Sequence, residues 1–176
     1  MEALLIMSES FMFDEPRLFT VGCMGEPGHR LFFLQAHGDD TTVTLKCEKQ
    51  QAGALADFLA TILADLPPAT EDERPSTIES LVPREMAWVA GSMTVGYDEH
   101  SDRVLLVIEE VRIEADDEGG EAVLAEEPAN LRVRLTRGQV AAYIDHARTL
   151  VAGGRPPCRL CGQPIDPEGH VCPRLN

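Results

Sequence analysis

Four side chains near the C-terminus offer the most definite chemistry in this chain. Cys158-Arg-Leu-Cys161-Gly162 has the spacing that lets two thiolates face one tetrahedral cation, and His170-Val-Cys172 follows to supply a second pair. A set of three thiolates and one imidazole suits Zn²⁺ and disfavours hard cations such as Mg²⁺ or Ca²⁺. Gly162, Pro164, Pro167 and Gly169 lie between the two pairs, as a tight loop returning to one ion requires. Four protein ligands fill the coordination sphere, whereas a catalytic zinc keeps one position open, so the expected role is structural. A disulfide between two of these cysteines would leave the histidine without a purpose. A redox Cys-x-x-Cys would open a helix after a strand, which Pro156-Pro157 before it and Gly162 after it oppose. With few apolar residues of its own, a tail over 155–176 must take its folding energy from the metal.

The remainder of the chain has to carry that tail. Its 176 residues are 44% apolar and only 5% aromatic, enough for a real core built on Leu, Val, Ile and Ala. The formal charge of −15, from 30 acids against 15 bases, disfavours a nucleic-acid binder, which needs clustered Lys or Arg. A local contact at the tail, where Arg155, Arg159 and Arg174 outnumber Asp166 and Glu168, is the one exception. No apolar run reaches the ~20 residues of a membrane helix. The N-terminus lacks the basic flank and cleavage pattern of a signal peptide, so a cytoplasmic protein is expected. Its five cysteines are then thiols or metal ligands.

Two stretches of the body echo one another. Phe19-Thr-Val-Gly-Cys23 returns as Met93-Thr-Val-Gly-Tyr97, Arg30 is matched to Arg103, and an apolar run follows each Arg. Strands are expected from Phe11 to Cys23, Arg30 to Ala36 and Thr42 to Cys47. Leu31-Phe32-Phe33-Leu34 is continuous rather than alternating, which suggests burial on both faces. Ala52, Leu55, Leu59, Ile62, Leu63 and Leu66 then fall on one helical face, stopped by Pro67-Pro68. The second half offers strands over Met86–Tyr97, Arg103–Ile113 and Asn130–Leu135. A helix follows, capped by Thr136 with Gln139 and striped by Val140, Tyr143, Ile144, Ala147, Leu150 and Val151.

The expected fold is therefore α+β: two pseudo-repeated βββα units with antiparallel sheets, plus a small C-terminal zinc knuckle. The units span 1–68 and 86–154, with a linker over 69–85, the tail over 155–176 and an acidic loop over 114–127. Other chemistry is thinner. Arg30 and Arg103 could flank a shared cleft that takes a carboxylate or phosphate, with His29 or His37 inside it. Each Arg could equally close an ion pair with a neighbouring acid. His37 with Asp39 and Asp40 could hold a cation, although turns favour these residues anyway. His100 and His146 read as exposed, and Cys23 and Cys47 as small buried hydrophobes. Gly22, Gly25 and Gly28 imitate a phosphate loop, but no helix follows them.

Three segments together resemble an actinobacterial family of unknown function. They are Pro27-Gly-x-Arg30-x-Phe32-Phe-Leu-Gln-Ala36, Glu48-Lys-x-Gln51, and the tail from Pro157 through Cys158, Cys161, His170 and Cys172 to Arg174. The resemblance covers nearly the whole chain and brings no activity with it. Two functional classes follow from the residues. One is a non-enzymatic interaction or adaptor module with structural zinc and another protein as partner. The other is an enzyme or small-anion sensor using a cleft between the repeats near Arg30 and Arg103.

Overall fold

The computed structural model describes residues 8–70, 73–111, 127–154, 156–163, 165 and 169–174. Seven strands form one sheet: β1 (Phe11–Phe13), β2 (Leu18–Met24), β3 (Leu31–His37), β4 (Thr42–Cys47), β5 (Trp88–Asp98), β6 (Arg103–Glu110) and β7 (Asn130–Leu135). Helix α1 (Lys49–Ala64) follows β4, and α2 (Arg137–Ala152) follows β7. Across the sheet the order is β1-β7-β6-β5-β4-β3-β2.

The antiparallel sheets expected from the sequence are instead one mixed sheet. β2-β3-β4 and β5-β6-β7 are antiparallel meanders, but β4 joins β5 in parallel through Leu45–Trp88 and Lys46–Val89. Parallel neighbours need a long crossover, and α1 with the segment after it provides one. β1 also pairs in parallel, with Phe11 opposite Leu131 on β7.

β1 and β2 are consecutive in sequence yet occupy the two outer positions of the sheet. Five Cα steps from Phe13 to Leu18 reach at most about 18 Å. A flat sheet of this order would separate the outer strands by six spacings, about 29 Å. The sheet must therefore curl, and the helices lie in its concavity: α2 against β2 and α1, and α1 against β3 and β5. Phe19, Leu34, Leu45, Leu106, Leu131 and Tyr143 are among the side chains fully enclosed there. The Phe19 and Tyr143 rings meet at 5.3 Å, and the Tyr143 hydroxyl donates to the Ala52 carbonyl. Each such aliphatic side chain stabilises the fold by about 1.5–3 kcal/mol.

Both helices start as their sequences demand. Thr136 Oγ1 accepts from the Gln139 N–H, and Gln139 Oε1 accepts from the Thr136 N–H. The other end of Gln139 donates to the Pro16 carbonyl at 2.6 Å, fixing the corner between β1 and β2. α1 ends at Ala64 with Asp65 as its cap, so the stop before Pro67-Pro68 holds, but Leu66, expected on the helical face, lies beyond the helix.

Part of the segment read as a linker, from Ile78 to Leu81, lies over the outer face of β2 and β3 as a strap, while Glu73 and Arg74 lie against α2. Thr20 Oγ1 donates to the Ile78 carbonyl. Gln35, 1% exposed, donates to the Leu81 carbonyl and accepts from the Leu81 N–H, each at 2.9 Å. This cover explains why Leu31–Leu34 reads as buried on both faces. Glycine permits the close approach at two points. A Cβ on Gly22 would collide with Ser80 Oγ and the Phe33 ring, and one on Gly138 would collide with the Glu73 backbone.

The repeated Thr-Val-Gly does not keep this role. Gly96 faces open space, with nothing within 4 Å of a Cβ placed there. Strand pairing also shifts the matched arginines. Gly22 opposes Phe33 and Gly96 opposes Leu105, so Met24–Leu31 corresponds to Asp98–Arg103. Arg103 therefore takes the place of Leu31, and Arg30 that of Asp102. A one-residue slip puts a side chain on the opposite face. The β5–β6 turn is held by its own lock. Asp102, at φ +51°, accepts from Arg137 through both carboxylate oxygens and from the Tyr97 hydroxyl at 2.7 Å. These bonds, that from Arg137 foremost, hold the Asp102 carboxyl below its usual range.

Gly22→Ala should destabilise the fold by about 1–3 kcal/mol, because the strap must shift. Gly96→Ala should be neutral or slightly stabilising, since a strand-interior Gly is costly and the space is free. Urea unfolding of both variants tests this, and equal losses would contradict the strap.

Candidate metal centre

The tail is built from two short arms. In the first, the Gly162 N–H donates to the Cys158 carbonyl at 2.8 Å, and the Cys158 N–H donates to the Gln163 carbonyl at 2.7 Å. Gly162 has φ +75°, which the knuckle turn needs and a side chain would resist. The Ile165 N–H donates to the Pro156 carbonyl, closing the base of the loop. The second arm returns through Gly169 (φ +117°) to His170 and Cys172. Arg174 ties it to the first arm by donating to the Leu160 carbonyl at 3.1 Å.

These turns bring together the four expected ligands. The ligand atoms of Cys158, Cys161, His170 and Cys172 all lie within 4.8 Å of one another. Cys158 Sγ and Cys172 Sγ are 3.9 Å apart, and Cys161 Sγ and His170 Nε2 are 3.1 Å apart. A tetrahedral zinc with bonds of about 2.3 Å to sulfur and about 2.0 Å to nitrogen sets those edges near 3.8 and 3.5 Å. The cluster is thus compatible with a metal ion such as zinc after small adjustments. All five cysteines are free, and the 3.9 Å separation is far from the ~2.05 Å of a disulfide. Cys172 is buried, while the other three ligands are half-buried.

The knuckle also prepares its first thiolate. Backbone N–H groups of Cys161 and then Leu160 point at Cys158 Sγ and lower its thiol to about 6. Cys47, by contrast, is pushed up to about 12 by burial. The first cysteine is therefore ready to bind a cation at neutral pH, and the core cysteine is inert.

The remaining candidates do not meet at one place. Arg103 lines a cavity of about 640 Å³ with Arg134, Ser101, Asp14, Glu15 and Asp39. Arg30 lines a separate one of about 160 Å³ with Gly28, Phe32, Lys49 and Gly154. His29 is exposed, and His37 is bonded to Gln35 Oε1, with burial lowering its pKa. Asp39 pairs with Arg17 rather than with His37. His146, expected to be exposed, is half-buried, with its ring 3.0 Å from the Val21 carbonyl. Cys23 is half-buried, Cys47 is buried and His100 is exposed. The acidic loop over 114–127 lies outside the described residues except for exposed Glu127. Lys49 beside Arg30 was not legible, because α2 must end against the start of α1 before the two meet.

In metal-free protein, alkylation of Cys158 should rise with pH through a midpoint near 6, because a lowered thiol ionises earlier. Reading the Cys158-bearing peptide by mass spectrometry separates it from Cys23, Cys161 and Cys172, which are also free. A midpoint at the ordinary value of about 8.5 would contradict the turn's amide donors.

No curated protein and no solved structure matches this chain. No helix among the described residues is long and apolar enough to cross a membrane. Residues 11–172 match the family described as "Protein of unknown function (DUF3090)", and the chain belongs to that family.

Proposed function

We propose that this chain is a non-enzymatic zinc protein whose Cys₃His tail presents a contact surface to another protein. The observation that carries the reading is the convergence of Cys158, Cys161, His170 and Cys172 beside uncovered apolar side chains. Leu160 is 49% exposed and Val171 96% exposed, and each is within two residues of a ligand. Four protein donors leave zinc no open position, so the ion organises the tail rather than reacting. Among the described residues, every hydrogen bond of 156–174 stays within the tail. The curled body then acts as a rigid carrier in a cytoplasmic protein. Its two βββα halves are one unit written twice, a reading supported by the shared strand order and by the like placement of Thr20-Val21-Gly22 and Thr94-Val95-Gly96.

Metal analysis of the purified protein should give one zinc per chain, lost in Cys158→Ser and in His170→Ala. Zinc that persists in both variants would sink the assignment. The melting midpoint of the body should shift little in either, since the described residues of the tail take no hydrogen bonds from it. Capture from native cells should then recover a partner with the wild-type chain and lose it with Val171→Asp. An unchanged set of captured proteins would contradict the contact surface.

A further inference from the structure

Outside the tail, the small cavity at Arg30 is lined by two cations and by no acidic side chain. Arg17, Arg74, Arg134, Arg137 and Arg148 each pair with an aspartate. Among the described residues, neither Arg30 nor Lys49 has a carboxylate within ion-pair distance, yet both line the same space of about 160 Å³. The Gly153-Gly154 segment ending α2 runs past both. A Cβ on Gly154 would sit 3.0 Å from Lys49 Nζ, and one on Gly153 would sit 3.9 Å from Arg30 Nη1. Gly28 in the β2–β3 turn and Phe32 also line the cavity. Two cations lining one space repel, and an anion between them reverses the sign of that interaction.

We propose that this cavity binds a tetrahedral oxyanion of the phosphate class through Arg30 and Lys49. The guanidinium offers two parallel N–H donors and the ammonium a point charge, the combination that recognises a phosphoryl group. Size limits the ligand further. Pockets for drug-sized molecules run to about 300–1,000 Å³, so this one holds the phosphoryl group and leaves whatever carries it outside. The larger cavity at Arg103 is a poorer match, because Asp14, Glu15 and Asp39 share its lining and Arg134 is already paired with Asp98. Arg30 thus acts with Lys49, two elements away, and not with Arg103.

Isothermal titration of the full chain with inorganic phosphate, at constant ionic strength set by chloride, tests the site. Saturable binding of one phosphate per chain is expected, weakened on the order of tenfold or more by Arg30→Gln and by Lys49→Gln. Arg30→Lys, which keeps the charge, should bind more weakly than the wild type and more tightly than Arg30→Gln. Circular dichroism and zinc content on the same samples separate loss of the site from loss of the fold or of the metal. O-phosphoserine in a second arm distinguishes sources. Tighter binding than inorganic phosphate identifies a phosphoryl group displayed on a protein, and weaker binding identifies the free ion. Heats no larger than those of added chloride would overturn the proposal, as would unchanged binding in the double Gln variant.

Discussion

The four residues between β1 and β2 impose the constraint on which the body depends. They tie together the two outer strands of a seven-stranded sheet and so force it to curl. Curling creates a concave face, and α1 and α2 fill it with Leu55, Leu59, Val140, Tyr143 and Ile144. The corner is secured from inside. Gln139, in the first turn of α2, gives one end of its amide to the helix cap and the other to the Pro16 carbonyl. A single buried polar side chain thereby couples helix initiation to sheet closure, and burial of such a group is tolerated because both ends are bonded.

The same constraint leaves an outer face, which the chain treats unequally. Over β2 and β3 the strap occupies it, held by Thr20, Gln35 and the gap at Gly22. Over β5 the corresponding Thr94 and Gly96 are exposed. The tail follows a different logic from either. Its described side chains include few that are buried, and its internal bonds are backbone turns around Gly162 and Gly169. Such a segment has too little apolar surface to offset its conformational entropy, and a metal held by the Cys/His cluster would supply what the core cannot.

Local signals in the sequence were sufficient for local structure. The helical spacing of Ala52, Leu55 and Leu59, the Pro67-Pro68 stop and the Thr136–Gln139 box each act within a few residues, and each element formed where these placed it. The clustering of Cys158, Cys161, His170 and Cys172 was legible for the same reason, since both pairs sit on short Gly-bearing turns. Partner choice among strands is non-local, so nothing in Thr42–Cys47 announced a parallel neighbour at Trp88. The Arg30–Arg103 match misled because the hairpins differ in length. Six residues separate Met24 from Leu31, and four separate Asp98 from Arg103. Arg30 and Arg103 therefore differ by one position in register and lie on opposite faces.

The central claim is that one metal ion organises the tail through Cys158, Cys161, His170 and Cys172. X-ray absorption at the zinc edge of the metal-loaded protein reads that coordination shell directly. The account predicts three sulfur neighbours at about 2.3 Å and one nitrogen at about 2.0 Å, with no oxygen neighbour. A shell containing water oxygen, or one with fewer than three sulfurs, would contradict it.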